Sequence, residues 1–156
     1  MDDQRSLPAD LYTEEYFLNA CEGYEEFSES HGERLSRRLS DAFAHIMQTT
    51  PDLVTVAFRE LGEGGVWWCG AGGPEPAALL SCDIRRGRPR EQRAELAQAL
   101  IDICVATLGL RSDRLVVEFT QHTGDEMYRH GRGWSAEWTP AEAMTSESLS
   151  TGTTNA

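Results

Sequence analysis

Arg85, Arg86 and Arg88 put three guanidinium groups into four residues, in a chain whose 14 basic and 26 acidic residues give a formal net charge of −12. A guanidinium is planar and grips a carboxylate through parallel N–H bonds, and a turn at a helix start adds free backbone N–H groups. In an acidic protein such a cluster makes a local positive hole that attracts small anions. The same residues also read as a solvated turn paired with neighbouring acids. Glu118 interrupts the apolar run Leu115–Phe119 and has to be paired or neutral. Near the arginines it is either an ionised general base or half of a salt bridge. His122 and His130 flank a late turn close to Arg129 and Arg132. Imidazole titrates near neutrality, so either histidine is a proton shuttle or a solvated loop residue. Trp67, Trp68 and Trp134 wall a pocket or pack a hairpin.

The scaffold that must position these groups is written twice. Residues 94–122 lie on residues 33–61 without a gap, with Leu96 on Leu35, Leu100 on Leu39, Asp102 on Asp41, Asp113 on Asp52, Val117 on Val56 and Phe119 on Phe58. A repeated unit that cannot bury its own apolar face needs a partner unit. In the first copy, Tyr16–Cys21 reads as a buried strand. Ser30 and Glu33 have capping-box spacing, and Leu35, Leu39, Ala42, Phe43, Ile46 and Met47 follow at helical spacing. Leu53–Phe58 then alternates as a second strand. A Gly-rich hairpin, GEGGVWWCGAGG, carries Trp67 and Trp68. In the second copy the strand is Ala77–Ile84. Pro89 opens a helix with the stripe Leu96, Leu100, Ile103, Cys104 and Leu108, which Gly109 closes, and Leu115–Phe119 is the matching strand. Strand–helix–strand crossovers require parallel pairing and right-handedness. The expected fold is therefore α/β (α+β): a duplicated βαβ unit forming a four-stranded, mostly parallel sheet with two helices on one face and β-hairpin additions. The open sheet face reads as too apolar for water, so self-association is expected to cover it.

The organisation expected is an extension over 1–13, a first βαβ unit with its hairpin over 14–76, a second unit with a closing segment over 77–143, and a disordered Ser/Thr-rich tail over 144–156. The acidic balance repels nucleic acid and anionic lipid, so neither is an expected partner. Cys21, Cys69, Cys82 and Cys104 lack zinc spacing, and three of them stand in apolar stretches as small buried hydrophobes. With no signal-peptide pattern and no apolar run of about 18 residues, the expected compartment is the cytoplasm.

The duplicated βαβ unit, with the turn DIRRGRPREQ ahead of its second helix and the closing stretch HTGDEMYRHGRG, resembles the tautomerase superfamily over about residues 14–138. It is most similar to the fused two-unit members, the cis-3-chloroacrylic acid dehalogenases and malonate semialdehyde decarboxylases. The resemblance implies a homotrimer and chemistry on small 2-oxo, enol or unsaturated acids without metal or organic cofactor. It implies that Arg88, with Arg85 in the dehalogenase pattern or Arg86 in the decarboxylase pattern, holds the substrate carboxylate. The family's catalytic group is an amino-terminal proline. That position falls near Glu14, and a mid-chain amide nitrogen has no usable basicity, so Glu14 or Glu15 offers a carboxylate instead. Other family positions have also changed. A water-positioning hydroxyl falls on Glu118, an acid on Arg129, a helix histidine on Phe43 and the decarboxylases' tryptophan on Met127.

The expected catalytic set is thus Glu118, Arg129, His122 and Glu14, and the expected substrate-binding set is Arg88, Arg85, Arg86, Trp67 and Trp68, with no metal. The expected function is proton transfer, hydration or cyclisation of a small or medium acid in a specialised biosynthetic pathway. The alternative is a non-catalytic trimeric binding or scaffold descendant, or a protein that holds a substrate for a partner enzyme.

Overall fold

The structure is a computed structural model that describes residues 29–59 and 65–143. In chain order these form α1 (Glu29–Met47), a hairpin of β1 (Trp67–Gly70) and β2 (Gly73–Pro76), β3 (Ala78–Arg85), α2 (Arg90–Leu108), β4 (Leu115–His122), and a closing hairpin of β5 (Tyr128–Arg129) and β6 (Gly133–Trp134). The expected extension, the strand Tyr16–Cys21, Glu14 and the expected tail lie outside the described residues.

Apolar side chains at every fourth position make α1 amphipathic. Leu35, Leu39, Phe43 and Met47 are buried, while Glu33, Arg37, Asp41 and His45 face outward. In α2 the buried set is Leu96, Leu100 and Cys104. The two stripes superimpose with the sequence offset of the repeat, and Phe43 also finds its counterpart in Cys104. Arg38 of α1 donates to the Thr107 hydroxyl of α2 across 2.6 Å. Ser30 lies inside α1 rather than ahead of it. Pro89 is the residue just before α2, with φ −66° and ψ 159°, and Gly109 ends the helix in the left-handed region at φ 67°, where a side chain would be strained.

The strands β3 and β4 pair in parallel from Ala78 opposite Leu115 to Arg85 opposite His122. Period-two alternation sends Ala78, Leu80, Cys82 and Ile84 into the core against both helices. Leu79, Ser81, Asp83 and Arg85 share the other face with Val116, Glu118, Thr120 and His122. This corrects two expectations. Among the described residues of β3 and β4, the open face is apolar at its Leu79–Val116 end alone, because the alternation hides the other apolar side chains. Glu118 does not interrupt a buried strand; it lies on the open face and accepts a hydrogen bond from the Ser81 hydroxyl.

Pro51–Leu53 is a single 3-10 turn, and beyond it Val54, Val56 and Phe58 pack on the core with the alternation of a strand. Cys82 and Cys104 are buried and Cys69 is exposed. No helix among the described residues is long and apolar enough to cross a membrane.

Candidate functional site

Because β3 and β4 run parallel, Arg85 and His122 emerge at one end of the sheet and the Trp67–Trp68 hairpin joins the other. Eight-residue strands separate the two ends by roughly 23 Å. At the Arg85 end lies a cavity of about 170 Å³. Leu53, Met127 and Trp134 supply its apolar wall, and Arg85, Arg129, Arg132 and Glu142 its charges.

Each guanidinium there is aimed by a backbone or carboxylate partner. Arg85, whose side chain is 10% exposed, donates from Nη1 to the Ala136 carbonyl over 2.7 Å. It also meets Glu142 in a two-pronged pair, Nη1 to Oε1 at 3.3 Å and Nη2 to Oε2 at 2.9 Å. Arg129 donates from Nη2 to the Leu53 carbonyl at 3.1 Å, so the closing hairpin is fastened to the turn after α1. Arg132 reaches the Asp52 carboxylate at 3.4 Å with both side chains exposed.

The arginine cluster of the sequence divides three ways. Strand alternation puts Arg85 on the open face. Arg86 points to solvent, 4.0 Å from Glu137, while its main chain receives the Trp138 N–H at 2.8 Å and donates to the His122 carbonyl at 2.7 Å. Gly87 then turns at φ +124° so close to the closing segment that a Cβ would stand 2.1 Å from the Trp138 carbonyl oxygen. That turn drives Arg88 inward. Arg88 is 3% exposed, lies between the rings of Phe43 (5.8 Å) and Trp138 (5.2 Å), and donates Nε to the Met47 carbonyl at the end of α1 over 2.9 Å. It does not line the cavity, whereas the sequence reading made it the common element of the anion site. The core aromatic at position 43 and the helix end it caps account for its direction.

His122 stands on the open face beside Arg85. Its Nε2 is 3.2 Å from Asp83 Oδ1, and its Nδ1 is 3.9 Å from Glu126 Oε2. The Asp83 carboxylate thus orients the imidazole by a hydrogen bond, and Glu126 stands beyond hydrogen-bond reach on the other side. Glu126 is itself held by the Thr123 N–H in a capping box. Asp83 and Glu142 were not singled out from the sequence. Asp83 sits two residues before Arg85 and therefore on the same face, a signal that was available; Glu142 lies beyond every motif. Glu118 sits four residues, two repeats of the pleat, back along β4 from His122 and outside the cavity, and His130 is exposed in the loop between β5 and β6. The structure therefore brings Arg85 and Arg129 into one cavity, with His122 beside Arg85 on the paired strands but not in the cavity lining. Within one chain it leaves Glu118, Arg86, Arg88, Trp67 and Trp68 elsewhere.

A second cavity of about 230 Å³ lies at the hairpin end, where Pro76, Ala77, Ala78 and Leu110 meet Glu75, Arg111 and Arg114. Its charges cancel. Glu75 pairs with Arg114 and with Arg111 at 3.7 Å, and Asp113 meets Arg111 at 2.7 Å. The Arg111 guanidinium holds the Asp113 carboxyl below the usual carboxylate range. Trp68 covers Arg114 at 5.5 Å. No group of three His, Cys, Asp or Glu side chains suited to a metal ion occurs among the described residues.

No family model and no curated protein sequence matches the chain. Among solved structures it is similar to Pt0534, crystallised after inactivation by 2-oxo-3-pentynoate, with a TM-score of 0.63 and 28% identity over 77% of this chain and 94% of that one. It is similar to N1, a member of the cis-3-chloroacrylic acid dehalogenase family, with a TM-score of 0.67 and 20% identity over 85% and 94% of the two chains. The fold is that of the tautomerase superfamily. A fused 4-OT that forms a symmetric trimer matches at 0.63 and 24% identity over 77% and 94%. These tautomerase-superfamily neighbours carry names from different reactions, so the scaffold accounts for the architecture and the side chains at the sheet end have to account for the chemistry.

Proposed function

We propose that this chain is a tautomerase-superfamily enzyme that acts on a small oxo, enol or unsaturated acid by proton transfer, hydration or cyclisation, in a biosynthetic pathway and without a proline amine. The observation that carries the reading is the cavity in which, among the described residues, Arg85, Arg129 and Arg132 outnumber Glu142 and the Asp52 that pairs with Arg132, in a chain of net charge −12. A planar carboxylate is the complementary ligand for such a hole. Arg85 and Arg129 anchor the acid, and His122, oriented by Asp83, moves the proton beside them. Glu14 and Glu118 remain the further carboxylates of the reading. Arg88 works behind the site, since it holds Trp138, whose N–H fixes the turn that carries Arg85. Homotrimeric assembly belongs to the same reading, and the exposed Trp67, Trp68 and Val116 are apolar surface for it to cover.

One observation favours the non-catalytic alternative: Glu142 already engages Arg85 through both carboxylate oxygens. An ultraviolet assay against 2-hydroxydienoates, phenylenolpyruvate and halogenated or acetylenic three-carbon acids separates the two, with Arg129→Ala and His122→Gln run alongside. The enzyme reading expects turnover that both variants lose while their melting temperatures hold. Acids that bind through Arg129 and never turn over select the binding protein. Failure of every acid to bind sinks the anion-site reading.

A further inference from the structure

We infer that Glu142 is a built-in occupant of the carboxylate subsite, and that a small monocarboxylic acid binds by taking its place on Arg85. The inference rests on the proposed acid-binding reading and names which acids the site admits and what they must displace. Three features carry it. Glu142 meets Arg85 in the two-pronged arrangement that a ligand carboxylate adopts, at 3.3 and 2.9 Å. Arg85 is held independently on its other side by the Ala136 carbonyl at 2.7 Å, so its guanidinium keeps its aim when Glu142 leaves. The Glu142 side chain is 43% exposed against 10% for Arg85, so the carboxylate is the solvent-facing member of the pair and the one that a ligand acid reaches first.

The size of the space narrows the ligand. A cavity of about 170 Å³ has room for roughly five or six water-sized groups. A three- or four-carbon acid fills it, and its oxo or enol oxygen falls to Arg129, the remaining partly buried guanidinium. An internal competitor lowers apparent affinity by the fraction of time it leaves the subsite vacant. An exchangeable, partly exposed pair leaves a vacancy of roughly one part in two to six.

The test is a calorimetric titration of the full chain with pyruvate at fixed ionic strength, using wild type, Glu142→Gln, Arg85→Ala and Arg129→Ala. Glu142→Gln is expected to bind about two- to six-fold tighter than wild type, and Arg85→Ala to lose binding. Equal or weaker binding by Glu142→Gln, with wild type still binding through Arg129, overturns this inference and leaves the acid-binding reading standing. Absence of binding in every protein overturns both. Should Glu142→Gln fail to fold, amide spectra of wild type decide: pyruvate must shift the Ala141, Glu142 and Ala143 signals, and their constancy at saturation overturns the inference.

Discussion

Replacing Arg88 by alanine is the sharpest test of how the arginine cluster divides. Arg88 is 3% exposed and spans two units of the fold, with Phe43 on one side and Trp138 on the other. Its removal takes away a charge-assisted hydrogen bond to the Met47 carbonyl, worth roughly 1.5–3 kcal/mol. It also removes two desolvated cation–π contacts, each worth about 1–2 kcal/mol. These terms overlap, because the same guanidinium makes all three, and a net loss of about 3–5 kcal/mol is the working figure. For a chain of this size that lowers the melting temperature by about 6–20 °C. Arg88→Lys keeps the charge and the stem but not the planar stacking face, and is expected to lose roughly half as much. Thermal unfolding followed by circular dichroism, at one protein concentration, gives the shift, and the pyruvate titration gives the binding. An Arg88→Ala protein that melts with wild type yet no longer binds acid would show that Arg88 faces ligand, and the burial argument would be wrong.

Gly87→Ala is expected to destabilise by at least about 2–4 kcal/mol, since the residue sits at φ +124° and a Cβ would meet the Trp138 carbonyl at 2.1 Å; urea unfolding measures it, and a midpoint unchanged from wild type refutes the geometry. Burial pushes the thiols of Cys82 and Cys104 up to about 12. At pH 8 only about one thiol in ten thousand at those positions is thiolate, so iodoacetamide followed by peptide mass analysis should modify Cys69 and spare both in the native state. The same shift has a sign for stability: the folded state holds these protons more tightly than the unfolded one. The associated stability is complete below about pH 9 and is lost as pH rises toward 12. Cys82→Ala is expected to flatten that alkaline fall, which a chemical-denaturation series between pH 8 and 11 records.

The parts of the fold that depend on short-range periodicity were legible in the chain. The stripe Leu35–Leu39–Phe43 and its copy Leu96–Leu100–Cys104, the closure at Gly109 and the parallel partnership of two strands all follow from spacing and one special conformation. Of the candidate site, the clustering of the arginines was legible and their directions were not. Three arginines in a turn make an anion site a reasonable reading, but spacing says nothing about where each side chain points. Gly87 and the return of Trp138 decide that, and Trp138 lies fifty residues further on. Glu118 looked like an intruder in a core because a strand buried on one face still shows apolar residues on both when read linearly. Glu142 escaped notice because no pattern links it to Arg85.

Each helix has a stop of its own, Gln48 in the left-handed region at φ 55° after α1, with the Thr49 N–H on the Ala44 carbonyl at 2.9 Å, and Gly109 at φ 67° after α2. The carbonyls of Ile46 and Met47 are met in addition by Gln92 and Arg88, side chains of the second unit, and Arg38 of α1 reaches Thr107 in the last turn of α2. The first half of the chain leaves the ribosome before those second-unit groups have been synthesised. Its helix can end by itself, and the later half covers its last carbonyls on arrival.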